Sequence, residues 1–490
     1  MKTITRRNLV QSLVAGAVVL GFDPVSRSWV TTASAAGGSV NFPGLDGLLL
    51  TDATSRAAYA HDFGNTVHRT PLAVLKPGSV HDVEKAVKFC RNHDIAVAAR
   101  GQGHSTFGQS QVQGGLLIDM STLSQVEEIN DDYAVVQAGA IWQTVLEASL
   151  PLGLSPPVLT GYVGLSVGGT LSMGGVSGMS YQRGAQVHNV LELDVVTGKG
   201  KLVTCSLTEN QPLFKAMLGG QGQCGIIVRA KLPMVPNPPL ARNYLIRYTD
   251  SAVFFQDMFT LISRGEVGGV YATVLPNPLG GWVYELNVVQ FFVPGNEPDD
   301  AALLANLAYP PAALQALDMP ALVFHLQVTF LMDFLKSIGQ YDVPHIWGDV
   351  YLPASQTQTF VEDTLAAMTP ADVGTFGFVL LIPVCNHSSK APAFRLPNED
   401  LVFLFDVLTA GYNDPEYLAA QTTRTRAMYE DARDIGGKLY PIGSTPMSHD
   451  DWVAHYGAAY PLFRAAKRAY DPRGIMTPGP GIFDDDDCED

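Results

Sequence analysis

Arg100-Gly101-Gln102-Gly103-His104-Ser105 follows directly on the apolar run Ile95 to Ala99. The run reads as a short strand, and the two glycines come where the chain leaves it. A glycine at such a point has no Cβ to stand between backbone N–H groups and a phosphate, so the loop can close tightly on an anion. His104 is then held at the edge of that loop. Taken alone, the fragment also reads as a tight turn with a hydrogen-bonded histidine, and its meaning depends on its neighbours.

Upstream, Ala73 to Leu75 reads as a strand ended by Pro77-Gly78, and Ser79 caps a helix with Val83, Ala86, Val87 and Cys90 on one face. Downstream come the apolar strands Leu116 to Ile118 and Ala134 to Val136, a helix over Ile141 to Leu150, and strands over Val190 to Val196 and Cys224 to Leu232. Short strands alternating with helices indicate an α/β or α+β unit. Inside it lies Val167-Gly168-Gly169-Thr170-Leu171-Ser172-Met173-Gly174-Gly175-Val176-Ser177-Gly178, with five glycines in twelve residues. This backbone can press against a flat ring or a pyrophosphate, with Ser172 and Ser177 as added donors, or form a structural bend. No Gly-Lys-Ser/Thr follows, so it is not a P-loop, and the spacing is wrong for a Rossmann fingerprint.

The chain has 490 residues, room for two or three domain-sized cores. A formal net charge of -16 repels polyanions and argues against a nucleic-acid partner. The five cysteines, Cys90, Cys205, Cys224, Cys385 and Cys488, have neither metal-type spacing nor the even count of a disulfide framework. At the N-terminus, the pair Arg6-Arg7, an apolar stretch from Leu9 to Phe22 and the A-x-A sequence Ala33-Ser34-Ala35 predict a twin-arginine-type signal peptide over 1–35 and export to the periplasm or beyond. The apolar stretch is too short for a stable membrane anchor, and no later segment reads as one.

Residues 36–55 read as a linker and 56–240 as the first domain. After Pro236-Asn237-Pro238-Pro239 the texture changes to longer helices, strands such as Trp282 to Phe292 and Phe376 to Leu381, and Pro-rich joints, a second domain over 241–430. Residues 431–483 return to the first domain. The tail 484–490, with six acids in seven residues, has the composition of a solvated, disordered end.

These motifs, in this order, resemble the FAD-linked oxidases of the vanillyl-alcohol-oxidase and p-cresol-methylhydroxylase (PCMH) type, and cytokinin dehydrogenases most of all. The resemblance runs from Asp62-Phe63-Gly64-Asn65 through the Gly101–Ser105 loop, Gly108-Gln109, the Val167–Gly178 stretch and Leu218-Gly219-Gly220-Gln221-Gly222-Gln223. It continues in Pro344-His345-Ile346-Trp347, His455-Tyr456-Gly457, Tyr470-Asp471-Pro472 and the run Pro478 to Phe483. It implies an α+β flavoprotein of two domains, an FAD-binding domain of PCMH type and an α+β substrate domain covering the flavin ring. It implies FAD joined covalently to His104, with Gly101, Gly103, Ser105, Gln109, Ser166, Ser172, Val176 and Ile226 as further FAD contacts. The second Gly-rich stretch has no cysteine, so a single covalent link is expected. The implied reaction is hydride removal from a C–H next to nitrogen of a small-molecule substrate, with oxygen or a quinone-like compound as electron acceptor.

The resemblance breaks on the substrate side. Where these relatives carry a Thr-Asp-Tyr, this chain reads Thr160-Gly161-Tyr162. A second acidic position falls near Tyr271, and the terminal Pro-Gly-Gln is Pro478-Gly479-Pro480. Hydride removal leaves a proton that a base must take. The family's Trp-x-Asn reads Trp347-Gly348-Asp349, which makes Asp349 the candidate for a relocated carboxylate and Trp347 the candidate to stack on a flat substrate; a hydrogen-bonding or exposed strand residue is the other reading of Asp349. His345 reads as structural. The changed base position also leaves open an oxidase of an alcohol, sugar or secondary-metabolite hydroxyl, and a flavin-binding electron-transfer protein without a substrate of its own.

Overall fold

The structure is a computed structural model that describes residues 19–23, 28–31, 40–387, 389–410, 412–484 and 487. The Arg6-Arg7 pair and the Ala33-Ser34-Ala35 sequence lie outside the described residues. Within 1–35, Val19–Asp23 and Ser28–Thr31 pair as an antiparallel hairpin, and the buried ring of Phe22 meets Phe89 edge-on at 5.9 Å.

Among the described residues, the first half of the chain builds two larger sheets. In one, the strands Ala73–Lys76, Leu116–Asp119 and Val97–Arg100 run parallel, and Leu48–Leu50 adds an antiparallel edge. Residues 36–55 are therefore only partly a linker. Asp82, fully buried at the start of the helix Val80–Asn92, accepts from the backbone N–H groups of Asp46, Gly47 and Gly78 and ties that segment down. Ser79 caps the same helix, and Val83, Ala86, Val87 and Cys90 are its buried face. The second sheet has five strands, with Gly225–Pro233 between Glu192–Thr197 and Tyr133–Gln137. The four described cysteines, Cys90, Cys205, Cys224 and Cys385, are free thiols, and the first three are buried.

The covering domain is one eight-stranded antiparallel sheet with helices packed on it. It begins with Leu240–Tyr248, close to the expected boundary. It ends with the short edge strand Lys438–Leu439, which pairs with Trp347–Pro353. The return to the first domain thus starts after Leu439 rather than at 431. The returning segment passes beside the parallel sheet, where the Val97 N–H donates to Ile475 O at 2.8 Å and the Thr477 N–H donates to Val97 O at 2.7 Å.

Asp487, in the acidic tail, departs from what its composition suggests. Asp487 is buried and accepts from Tyr460 Oη at 2.6 Å, with Arg464 Nη1 at 3.4 Å. Charge complementarity with that helix holds a residue that a run of acids would leave in solvent. No described helix is long and apolar enough to cross a membrane.

Candidate active site

The loop after Val97–Arg100 runs into a cavity of about 630 Å³ lined by both domains, within the usual size range of small-molecule sites. All nine predicted cofactor residues line it: Gly101, Gly103, His104, Ser105, Gln109, Ser166, Ser172, Val176 and Ile226. Two local facts explain the glycines. A Cβ on Gly101 would lie 1.9 Å from Ser166 Oγ, so the loop packs directly on the start of the helix Val167–Met173. Gly103 has φ +65°, and a Cβ there would meet the Arg100 guanidinium at 2.3 Å. Arg100, donating to His61 O at 2.5 Å, is a fixed cation beneath the loop.

Asp62 sets the curvature of the same loop. Its Oδ2 accepts from Ser105 Oγ at 3.0 Å and from the Gly108 N–H at 2.7 Å. Burial pushes its carboxyl above the ordinary value, against these hydrogen bonds and the Arg100 charge, which pull it down. The loop is also tied to the turn that follows the last strand of the covering sheet. Thr106 Oγ1 donates to Ile442 O at 2.8 Å, and the Gln109 amide donates to Pro441 O and Gly443 O at 3.1 and 3.0 Å. Gln109 is on the cavity wall, but its side-chain nitrogen is committed to this joint.

His104 stands in a box of aromatic rings. Phe63 stacks flat on it at 4.0 Å, with Tyr162 at 5.1 Å and Trp347 at 5.7 Å. Phe63 stacks on its other face against His345, also at 4.0 Å. His345 is structural: its two ring nitrogens lie 3.2 Å from Thr409 O and Tyr341 O. His104 differs in that its Nε2 is buried without a hydrogen-bond partner. Burial also pushes the His104 imidazole down to about 3, so the ring is neutral at neutral pH. A neutral imidazole with an unpartnered Nε2 on the wall of a glycine-lined cavity fits a flavin-carrying residue.

Trp347 lines the cavity, and its Nε1 donates to Thr409 O at 3.3 Å. Asp349 does not reach the cavity, which corrects the expectation of a substrate-facing carboxylate there. The turn Tyr440 to Ser444 covers it, and a Cβ on Gly443 would lie 2.1 Å from Asp349 Oδ2. The acid on the wall is Asp406, directly opposite Asp349 on the paired strand Leu401–Leu408. Reading the sequence missed Asp406; an aspartate inside the otherwise apolar run Leu401-Val402-Phe403-Leu404-Phe405-Asp406-Val407-Leu408 was the available signal. Glu285 is a second acid on the wall, but it is held by Arg247 Nε at 2.8 Å. Gly161 lines the cavity, and a Cβ there would meet nothing within 4 Å. Tyr271 also lines it, a phenol pushed up to about 12 by burial. Pro480 lies off the wall, where its carbonyl accepts from Trp452 Nε1. The rest of the covering-domain wall is strongly apolar, with Leu331, Leu335, Phe376, Phe378 and Leu380 among its members.

Residues 71–206 match the family described as FAD binding domain, and residues 272–483 match the one described as Cytokinin dehydrogenase 1, FAD and cytokinin binding. Cytokinin dehydrogenase 1 of Arabidopsis thaliana is 33% identical over 86% of this chain and 80% of its own length. The chain belongs to the cytokinin dehydrogenase family of FAD-dependent oxidoreductases. An uncharacterized oxidoreductase from the fasciation locus of Rhodococcoides fascians is 34% identical over 89% of this chain and 99% of its own length. Cytokinin dehydrogenase 9 of Oryza sativa subsp. japonica is 33% identical over 87% of this chain and 89% of its own length. The family accounts for the two-domain α+β fold of PCMH type and for FAD as the cofactor. In this family member the cavity wall has glycine at 161 and Asp406, with Asp349 buried directly behind it.

Proposed function

We propose that this chain is an exported oxidoreductase that carries FAD covalently on His104 and oxidises a C–H next to nitrogen on a flat, largely apolar amine. The observation that carries the reading is the wall shared by His104 and Trp347, whose rings lie 5.7 Å apart beside an apolar chamber. Bound FAD supplies the hydride acceptor. His104 would hold the ring, and the Gly101–Ser105 loop with Ser166 would hold the phosphates. Trp347 would stack on the substrate, and the leucine and phenylalanine side chains of the covering domain would exclude water. Export rests on the Arg6-Arg7 pair and the apolar stretch after it. Oxygen or a quinone-like compound serves as electron acceptor.

Gly161 favours a second reading, in which the substrate is an alcohol or a secondary-metabolite hydroxyl. The same apolar chamber disfavours sugars. Anaerobic mixing with isopentenyl-adenine and with a panel of alcohols and sugars separates the readings. Bleaching of the flavin by the amine alone supports the first, bleaching by a hydroxyl compound alone supports the second, and reduction only by a redox partner contradicts both.

A further inference from the structure

Asp349 and Asp406 face each other across two neighbouring strands near one end of the covering sheet, Trp347–Pro353 and Leu401–Leu408. Both side chains are buried, Asp349 completely and Asp406 to within 3%. Directly opposed residues of an antiparallel pair have Cβ atoms about 5 Å apart, so the carboxyls share one small space. Neither oxygen of Asp349 has a hydrogen-bond partner, and neither has Oδ1 of Asp406. A buried carboxylate without donors is costly, and two adjacent ones cost more. The arrangement is relieved when one proton lies between them, because a protonated carboxyl donates to its neighbour. The two members are not equivalent. Asp349 is sealed beneath Gly443, whereas Asp406 lines the cavity that also holds Trp347 and His104.

We propose that Asp349 and Asp406 form a proton-sharing pair in which Asp406, on the cavity wall, takes the proton that the substrate nitrogen gives up. This rests on the amine reading for its substrate but not for the existence of the pair. As the C–H next to nitrogen is lost as hydride to bound FAD, the N–H bond breaks. Its electron pair closes the C=N bond and its proton passes to Asp406, taking the pair from one proton to two. Reoxidation by oxygen or the quinone-like acceptor completes the electron balance, and the extra proton leaves Asp406 for water in the cavity. Asp406 thus stands in for the carboxylate that Gly161 lacks, with Asp349 tuning it from behind.

The groups that face the pair fit this role. Tyr351, two residues along the same face, and Tyr440, on the covering turn, are both phenols raised by burial and by the two aspartates. Lys438 lies opposite Tyr351, one step further from Asp406. The helix Pro415–Asp434 covers the other face of the strand, where Gly348 lies against Met428 and Thr425. Burial raises both carboxyls, Asp349 to about 7 and Asp406 also well above its ordinary value. A base tuned towards the working pH is the more effective proton acceptor.

Infrared difference spectra of the substrate-free holoenzyme, unlabelled and with carbon-13 aspartate, in water and in deuterium oxide, test the pair directly. The expected result at neutral pH is an aspartic acid C=O band that shifts with both isotopes. It should vanish in Asp349→Asn and in Asp406→Asn, where the new amide donates to the remaining carboxylate. No such band in the wild type, or its persistence in both variants, overturns the pair. In stopped-flow reduction by an amine that bleaches the wild-type flavin, Asp406→Asn should be slower by ~10²-fold. Its rate should also lose the rise with pH, while the substrate concentration for half-saturation stays unchanged. An unchanged rate and pH profile overturn the proton-acceptor role. If no amine bleaches the wild type while the band is present, the substrate reading fails and the pair stands.

Discussion

Phe63 lies flat between His104 and His345, 4.0 Å from each and within about 10° of parallel to both. The stack joins the two domains, because Phe63 and His104 belong to the FAD-binding half and His345 to the covering half. A buried aromatic ring fixes its neighbours through contact area as much as through specific ring attraction. His104 needs that support, since its own Nε2 makes no hydrogen bond.

Phe63→Ala should therefore act on the flavin as well as on the fold. A loss of about 3 kcal/mol in unfolding free energy is expected for a buried phenylalanine replaced by alanine. The fraction of flavin that stays with acid-precipitated protein should fall as well, because the His104 ring is freed to turn. Phe63→Leu, which keeps much of the volume, should retain more bound flavin than Phe63→Ala. Equal retention in both variants would show that the stack does not orient His104.

Gly103→Ala combines two costs. Its φ of +65° lies where an alanine is strained by roughly 1–2 kcal/mol, and its Cβ would press on the Arg100 guanidinium. The expected outcome is a protein that folds but binds FAD at least tenfold more weakly, read by titrating the flavin-free protein. Gly114→Ala is the control. It has a similar φ of +63° with nothing within 4 Å of its Cβ, and it does not line the cavity, so FAD affinity should not change.

Some of this was legible in the sequence and some was not, for physical reasons. The Gly101–Ser105 loop is contiguous, and its chemistry depends on glycines whose role is local, so together with the second Gly-rich stretch it suggested a phosphate cradle with His104 on its rim. Ser79 and its helix were equally local. Asp349 was recognisable as an acid near the site, but which way it opens depends on the register of two strands far apart in sequence and on the turn at Gly443. Asp406 could be found only by asking why an apolar strand holds an aspartate. Asp487 misled because composition predicts solvent, whereas Tyr460, Arg464 and Arg468 bind it in place.

Gly161→Asp tests the missing carboxylate from the other side. A Cβ at that position meets nothing within 4 Å, so the substitution should be neutral for stability to about 0.5 kcal/mol. If the substrate is an amine, the added carboxylate should raise the rate of anaerobic flavin reduction by about tenfold or more, and it should partly restore Asp406→Asn. No gain in either background would argue for the hydroxyl reading.

The aspartate pair should also shape stability against pH. Its folded values lie above the ordinary carboxylate range, so above about pH 4 the folded protein holds protons that the unfolded chain has released. Its contribution is present in full below the unfolded value of 3.8 and is lost as pH rises through the folded one, about 7 for Asp349. Denaturant unfolding of the wild type should show this decline between pH 5 and pH 7, roughly the interval separating the two states. Asp349→Asn should flatten it. A wild type that gains stability across the same interval, with the variant behaving alike, would contradict the assignment.

The central claim, that His104 carries the flavin, is tested most directly by mass spectrometry of peptides from acid-precipitated, denatured holoprotein. The account predicts one flavin mass, on the peptide containing His104, and its loss together with the yellow colour of the pellet in His104→Ala. Flavin released entirely into the acid supernatant of the wild type, or found on any other residue, would contradict it.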